Sequence, residues 1–187
     1  MILGFRTVSG RGVVAGLIGL CLTCSMNGAA GASEEDAIAR EWRVAAENRE
    51  REAGVLREQA EELVDCAQDW REREVLYAVE REQNYARSGD AEMRAGSLFA
   101  AAHTSFKRAA QHWNKSAAAN DDSEAGERYR EHALEKAGLA ERLSKEMAAE
   151  AVAAYGRAVE RYAPEAGNRP EKAAEASRRR AEWATQD

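Results

Sequence analysis

The sequence predicts an all-α protein: three long helices and a short fourth helix form an antiparallel bundle or coiled coil behind an N-terminal signal segment. Alanine is the commonest residue in the 187-residue chain, and 32% of the residues are charged. This composition favours helices because Ala, Glu, Arg and Lys are strong helix formers. The two prolines, Pro164 and Pro170, both lie near the C-terminus. Before them, apolar residues recur at helical spacing over most of the chain.

The first 32 residues have the organisation of a secretory signal. Their charged residues are Arg6 and Arg11, which precede an apolar run from Val13 to Cys24. The small residues Ala30 and Ala32 then occupy the two positions that a signal peptidase reads. We therefore expect cleavage after Ala32 and export to the periplasm, the cell surface or the extracellular space.

An uncleaved membrane anchor formed by residues 13–32 is the alternative, and only in that case do we expect contact with a membrane. A spanning helix needs about 20 predominantly apolar residues. The polar residues Thr23, Ser25 and Asn27 interrupt this run, so we favour the cleaved signal.

The mature chain is expected to be acidic and to carry one thiol. Cleavage would leave 25 basic and 33 acidic residues, a formal charge of −8. Nucleic-acid binding needs clustered Lys and Arg, so we expect no nucleic-acid partner. Cys66 would be the remaining cysteine, and a lone cysteine in an oxidising compartment is buried, capped or paired with another chain. We consider Cys66 a candidate for an interchain disulfide, with a small buried or half-exposed hydrophobic side chain as the alternative.

The first helix is predicted to begin at Ser33 and to continue to Ala86, interrupted only by Gly54. A row of alanines at heptad spacing runs along it from Ala39 to Ala67. Beside that row, a second row at the same spacing holds bulky residues at Trp42, Leu56, Leu63, Trp70 and Tyr77 and one charged residue, Arg49. Such an apolar face has to pack against another helix. That helix would come either from the same chain or from a second copy, in a homodimer through helix 1.

A break is expected at Ser88-Gly89-Asp90, because glycine suits the end of a helix and aspartate suits the N-cap of the next. The second helix would then run from Ala91 to Ala118 and be much shorter than the first. Its apolar face alternates alanine with Phe99, Phe106 and Trp113.

Asp121 is expected to cap a third helix that ends at Tyr162, before Pro164. The bundle domain would therefore cover residues 33–163. Residues 164–187 would form a linker and a short helix from Glu171 to Ala184, a segment whose order the sequence leaves open.

No residue pattern typical of catalysis, cofactor binding or metal binding occurs in the chain. His103, His112 and His132 are not spaced three or four apart, so they do not pair on one helical face. The glycines are isolated and form no phosphate-binding loop. We therefore expect no enzyme activity, no cofactor and no metal. Asn114 begins an N-glycosylation sequon, which matters only in a eukaryotic host.

These features predict a non-catalytic structural or protein-interaction protein. It would act as a helical spacer or scaffold that binds a protein partner, or a second copy of itself, along its apolar stripe. One alternative is a helical bundle that binds a small ligand between its helices, although an alanine-rich core leaves little space for one. A membrane-tethered coiled-coil protein is the second alternative.

Cleavage of the signal can be tested on chain purified from a secreting host. We expect the mature protein to begin at Ser33, as read by N-terminal sequencing and intact mass. Replacing Ala30 and Ala32 together with bulky residues should block processing and leave the mass of the full chain, because the peptidase accepts only small residues there. A wild-type chain that keeps residues 1–32 and stays with the membrane fraction would contradict cleavage and support the anchor.

Overall fold

A computed structural model describes residues 34–73, 77–120 and 123–185 of the chain. Within these ranges the protein consists of four α-helices and contains no strand: α1 (Glu34–Glu72), α2 (Ala78–Ala118), α3 (Glu124–Tyr162) and α4 (Pro170–Ala184). The predicted all-α fold with three long helices and a short fourth is confirmed. The signal segment and the predicted cap Ser33 lie outside the described residues.

The predicted boundary between the first two helices is wrong. Ser88, Gly89 and Asp90 lie inside α2, which begins at Ala78 with Tyr77 as its N-cap residue. Helix α1 ends at Glu72, so α1 has 39 residues and α2 has 41. The two helices therefore match in length, and α1 has no unpaired overhang. Residues 73–77 include no proline or glycine, so the residue pattern does not reveal where α1 ends.

The third and fourth helices lie close to their predicted positions. Ser123, and not Asp121, is the N-cap of α3, because its side-chain oxygen accepts a hydrogen bond from the backbone N–H of Gly126 at 3.0 Å. Helix α3 ends at Tyr162 as predicted. Helix α4 begins one residue earlier than predicted, with Pro170 in its first turn, where a proline's missing N–H costs no hydrogen bond.

Helix α2 lies between α1 and α3 and packs along both of them, whereas α1 and α3 barely touch each other. Consecutive long helices are antiparallel. Ser88 near the start of α2 contacts Ala67 near the end of α1, and Ser116 near the end of α2 contacts Ala39 near the start of α1. Helix α4 packs mainly on α3.

The contact between α1 and α2 is built from small residues at heptad spacing. On α1 these are Ala39, Ala46, Ala53, Ala60 and Ala67, each at most 1% exposed. The matching row on α2 is Ser88, Ala95, Ala102, Ala109 and Ser116, each also at most 1% exposed. The two serines close the ends of the contact, since the Ser88 hydroxyl donates to the Ala67 carbonyl at 2.7 Å and the Ser116 hydroxyl to the Ala39 carbonyl at 2.9 Å. These bonds satisfy hydroxyl groups that would otherwise be buried without a partner.

The contact between α2 and α3 is built from two tyrosine rings that lie against two glycines. The rings of Tyr155 and Tyr162 are almost fully buried. An ideal Cβ at Gly96 would lie 2.7 Å from the Tyr155 ring, and one at Gly89 would lie 2.6 Å from the Tyr162 ring. The two glycines are seven residues apart in α2, and the two tyrosines are seven residues apart in α3. Gly89 is therefore kept inside α2 by packing, which outweighs the roughly 1 kcal/mol that a glycine costs a helix.

Two glycine substitutions test this packing. Gly96→Ala should destabilise the protein, because overpacking against the Tyr155 ring costs about 1–3 kcal/mol and exceeds the gain in helix propensity. Gly54→Ala is the matched control: Gly54 is exposed in α1 and an added Cβ would meet nothing within 4 Å. It should raise the free energy of unfolding by up to about 1 kcal/mol. Urea unfolding followed by circular dichroism measures both, and equal stability of the two variants would contradict the assigned packing.

Candidate functional site

The apolar stripe predicted from the sequence divides into three groups. Phe99, Phe106 and Trp113 are buried in the helical core. The bulky row on α1 is only partly buried and consists of Trp42, Leu56, Leu63 and Trp70. Tyr77 was wrongly assigned to this row, since it lies beyond the end of α1 and is 67% exposed. The stripe is therefore mostly occupied by contacts within the chain.

Cations cover the two tryptophans at the ends of the α1 row. The Lys115 ammonium lies 4.2 Å from the ring centre of Trp42, which also stacks on His112 with ring centres 5.2 Å apart. Trp70 contacts two guanidinium groups, those of Arg73 at 3.8 Å and Arg87 at 4.6 Å. Cation–π contacts of this kind are favourable, so neither tryptophan presents a bare aromatic surface.

A cleft of about 650 Å³ opens between α1, α2 and α4. Its apolar lining is Leu63, Met93 and Leu98, all partly buried and packed against the main core. The polar lining combines Gln59, Glu62, Arg94, Ser97, Glu175 and Arg179. Acidic and basic side chains are equally numerous there, so the cleft has no net preference for an anion or a cation.

A serine and a histidine contact each other between α2 and α3, but the histidine does not activate the serine hydroxyl as a nucleophile. The His103 Nδ1 lies 2.9 Å from the backbone carbonyl of Ser144 and 3.0 Å from its hydroxyl oxygen. A carbonyl oxygen can only accept, so Nδ1 carries the proton and cannot act as the base that activates the hydroxyl. The Ser144 hydroxyl can in turn donate to the His103 carbonyl at 3.3 Å. The pair therefore braces two helices.

Asp90 joins α2, α3 and α4. Its Oδ1 accepts hydrogen bonds from the Tyr162 hydroxyl at 2.7 Å and from the Lys172 ammonium at 2.5 Å. Burial raises the pKa of the Tyr162 phenol far above its usual range, and its hydrogen bond to the Asp90 carboxylate raises that pKa further. Tyr162 is therefore a neutral hydrogen-bond donor at physiological pH and not a proton acceptor.

Glu92 is a buried carboxylate on α2 that pairs with α3. Its side chain is 4% exposed, and Oε1 accepts from Arg157 Nε at 2.8 Å. Oε2 has no hydrogen-bond partner among the described residues. A buried ion pair contributes little net stability but is costly to break, so this pair restricts how α2 and α3 can align.

The remaining predicted positions lie on the surface. Cys66 is exposed on α1 and forms no disulfide among the described residues. Asn114 is exposed on α2. No three His, Cys, Asp or Glu side chains in the described ranges converge as metal ligands. None of the described helices combines the length and the apolar character that a membrane span requires.

No family model, curated protein or solved structure matches this chain.

Sequence reasoning missed the residues that hold α2, α3 and α4 together. Gly89 and Gly96 are seven residues apart, as are Tyr155 and Tyr162. This shared spacing was a signal for paired helices, but Gly89 was interpreted as a helix end. Asp90, taken as an N-cap, gave no indication that it binds Tyr162 and Lys172.

His112 provides a pH-dependent test of the α1–α2 contact. Its Nδ1 is buried without a hydrogen-bond partner among the described residues. Burial lowers the pKa of His112, and the nearby charges of Lys115, Arg49 and Arg108 lower it further. The folded state therefore binds a proton less readily than the unfolded state, in which a histidine has its ordinary pKa of about 6.5.

We expect the contribution of His112 to the free energy of unfolding to be greatest above about pH 6.5. That contribution should fall as the pH drops from there through the pKa of His112 in the folded state, which is the lower of the two. Urea unfolding at a series of pH values, compared between wild type and His112→Gln, isolates this contribution. His132→Gln replaces an exposed histidine and is the control. If His112→Gln left the slope between pH 7 and 5 unchanged, the assigned environment of His112 would be wrong.

Proposed function

We propose that this chain is an exported, non-catalytic helical scaffold or spacer of the cell envelope or extracellular space. The observation that carries the proposal is the close packing of α2 on both of its neighbours. The side that faces α1 carries small residues from Ser88 to Ser116, and the side that faces α3 admits tyrosine rings at Gly89 and Gly96. At 1.5 Å per residue, a helix of 41 residues is about 60 Å long. The packing supports a stiff rod, which suits a protein that holds partners at a distance. Export rests on the N-terminal sequence, including the expected cleavage after Ala32.

The outer side of α1 is the surface that we propose for a partner. Its alanine row packs on α2, so a partner or a second copy would have to use the opposite side. Val44 and Val55 are about half exposed there, at 51% and 49%, and Cys66 is exposed further along the helix. Acidic residues outnumber basic ones along α1. Like charges oppose pairing of two α1 helices, so we favour a partner with a basic surface over a homodimer through helix 1.

Two alternatives remain as second candidates. The cleft between α1, α2 and α4 is large enough for a small ligand, since ligand pockets typically measure about 300–1,000 Å³. A tethered version of the scaffold applies if residues 13–32 stay attached as a membrane anchor. Native mass spectrometry tests the first alternative, and sequencing of the mature N-terminus tests the second.

Site-specific photo-crosslinking in the source organism tests the scaffold proposal. We expect a photoreactive residue at Val55 to give one discrete crosslinked product, because a partner would cover that side of α1. The same residue at Gln111, which is exposed on α2, is the matched control and should give none. Non-reducing electrophoresis with Cys66→Ser as control separates a disulfide-linked pair of copies from a complex with another protein. No product at Val55, together with a small molecule retained in native mass spectrometry, would replace the scaffold by a ligand carrier.

A further inference from the structure

Helix α4 buries far fewer residues than α2 and α3 do. It has 15 residues, of which Ala176 alone is buried, whereas α2 and α3 each bury long rows of residues. An isolated helix of this length is marginal in water. Its helical state therefore depends on the surface of α2 and α3 that it covers. Elements with few buried contacts open more readily than the core of a domain.

Four residues at helical spacing lie on the face of α4 that contacts α2 and α3. The Lys172 ammonium binds Asp90 at 2.5 Å and lies 5.6 Å from the ring centre of Tyr162. Ala176 is fully buried in a cluster with Ala158 and Tyr162.

The C-terminal half of the same face uses larger side chains. The Arg180 guanidinium crosses α3 at Gly156, where an ideal Cβ would lie 3.6 Å from its Cζ. The Trp183 ring meets the His103 ring edge-on, with centres 5.3 Å apart, and packs against the main core. A helix that fits here therefore carries a charged residue near its N-terminal end, a small residue at its centre and an aromatic residue near its C-terminal end.

The surface under α4 is apolar around Ala176. Met93 of α2 and Val159 of α3 are partly buried there and pack against the cluster that contains Ala176. Along the side of α4 that faces α1, the cleft of about 650 Å³ remains open. The surface is thus wider than the short helix that occupies it.

We propose that α4 is a displaceable strap over a helix-binding groove on α2 and α3, and that the groove accepts an amphipathic helix from a partner protein. That helix would present lysine, then alanine four positions on, arginine after a further four and tryptophan after a further three, as Lys172, Ala176, Arg180 and Trp183 do. Lysine fits the first position because Asp90 accepts a hydrogen bond from it, and a small residue fits the second because Ala176 is fully buried against Ala158 and Tyr162. The inference rests on the proposed interaction function and adds a second surface and its regulation.

A labelled peptide with the sequence of residues 168–185 tests the groove on the full chain. In the variant Ala176→Glu, a charged side chain at a fully buried position should expel the chain's own α4 and leave the groove free. By fluorescence anisotropy, this variant should bind the peptide at least tenfold more tightly than the wild type, whose groove is filled. A peptide that itself carries Ala176→Glu should not bind. Adding Asp90→Ala to the variant chain should weaken binding, because the peptide lysine then loses its partner.

Ala174→Glu is the matched control, since Ala174 is exposed on the same helix and its replacement should leave peptide binding as in the wild type. Urea unfolding shows whether Ala176→Glu keeps the cooperative transition of α1, α2 and α3. Loss of that transition would overturn the proposal, because α4 would then be integral to the fold. A folded variant that fails to bind the peptide would overturn it as well. Dimers of the wild type that disappear in Ala176→Glu would support the groove and identify α4 of a second copy as its occupant.

The peptide-binding test and the photo-crosslinking test at Val55 are independent, so the failure of one does not imply the failure of the other. The first reports on α2 and α3, and the second reports on the outer side of α1. A groove that binds the peptide, together with a Val55 position that captures nothing, would keep the strap and remove the proposed α1 surface.

Discussion

The close approach of α2 to its two neighbours is the constraint on which the rest of the structure depends. Alanine and serine rows let the backbones of α1 and α2 approach along most of their length, and Gly89 and Gly96 admit the tyrosine rings of α3. Small side chains contribute little burial each, but they repeat at the same spacing and so add over the whole contact. This arrangement aligns the three helices at fixed offsets, since a shift by one residue would bring large side chains against the small ones.

Polar contacts then hold the alignment that the small residues allow. The Ser88 and Ser116 hydroxyls bind carbonyl groups at the two ends of the α1–α2 contact. Between α2 and α3, the His103–Ser144 pair and the Glu92–Arg157 ion pair link the facing surfaces. Each of these groups would be buried without a partner if the helices slid, and that cost is larger than the net gain from making the bond. Their chemistry supports alignment more than reactivity.

The same architecture separates α2 and α3, which bury long rows of residues, from α4, in which Ala176 alone is buried. The three long helices use most of their apolar residues on one another. The large apolar side chains that stay exposed are scattered over all three helices and include Val55 on α1, Val79 on α2 and Leu134 on α3. Helix α4 is attached through a hydrogen-bonded turn in which the Arg169 N–H donates to the Tyr162 carbonyl at 3.0 Å and Gly167 lies against Ala86. Its first turn is therefore fixed more firmly than its last, where Trp183 is the main contact. A scaffold with one replaceable helix is consistent with this distribution of contacts.

By itself, the sequence determined the helical class, the end of α3, the position of α4 and the alanine face of α1. Each of these follows from local propensity, from proline or from heptad spacing, which act within one segment. Only the tertiary structure decided where α1 ends, because no proline or glycine lies between α1 and α2 in the sequence. It also decided the role of Gly89, which local preference assigns to a helix end. There the Tyr162 ring, 73 residues later in the chain, occupies the space that a side chain would take, and contacts so distant in sequence cannot be derived from the pattern of one helix.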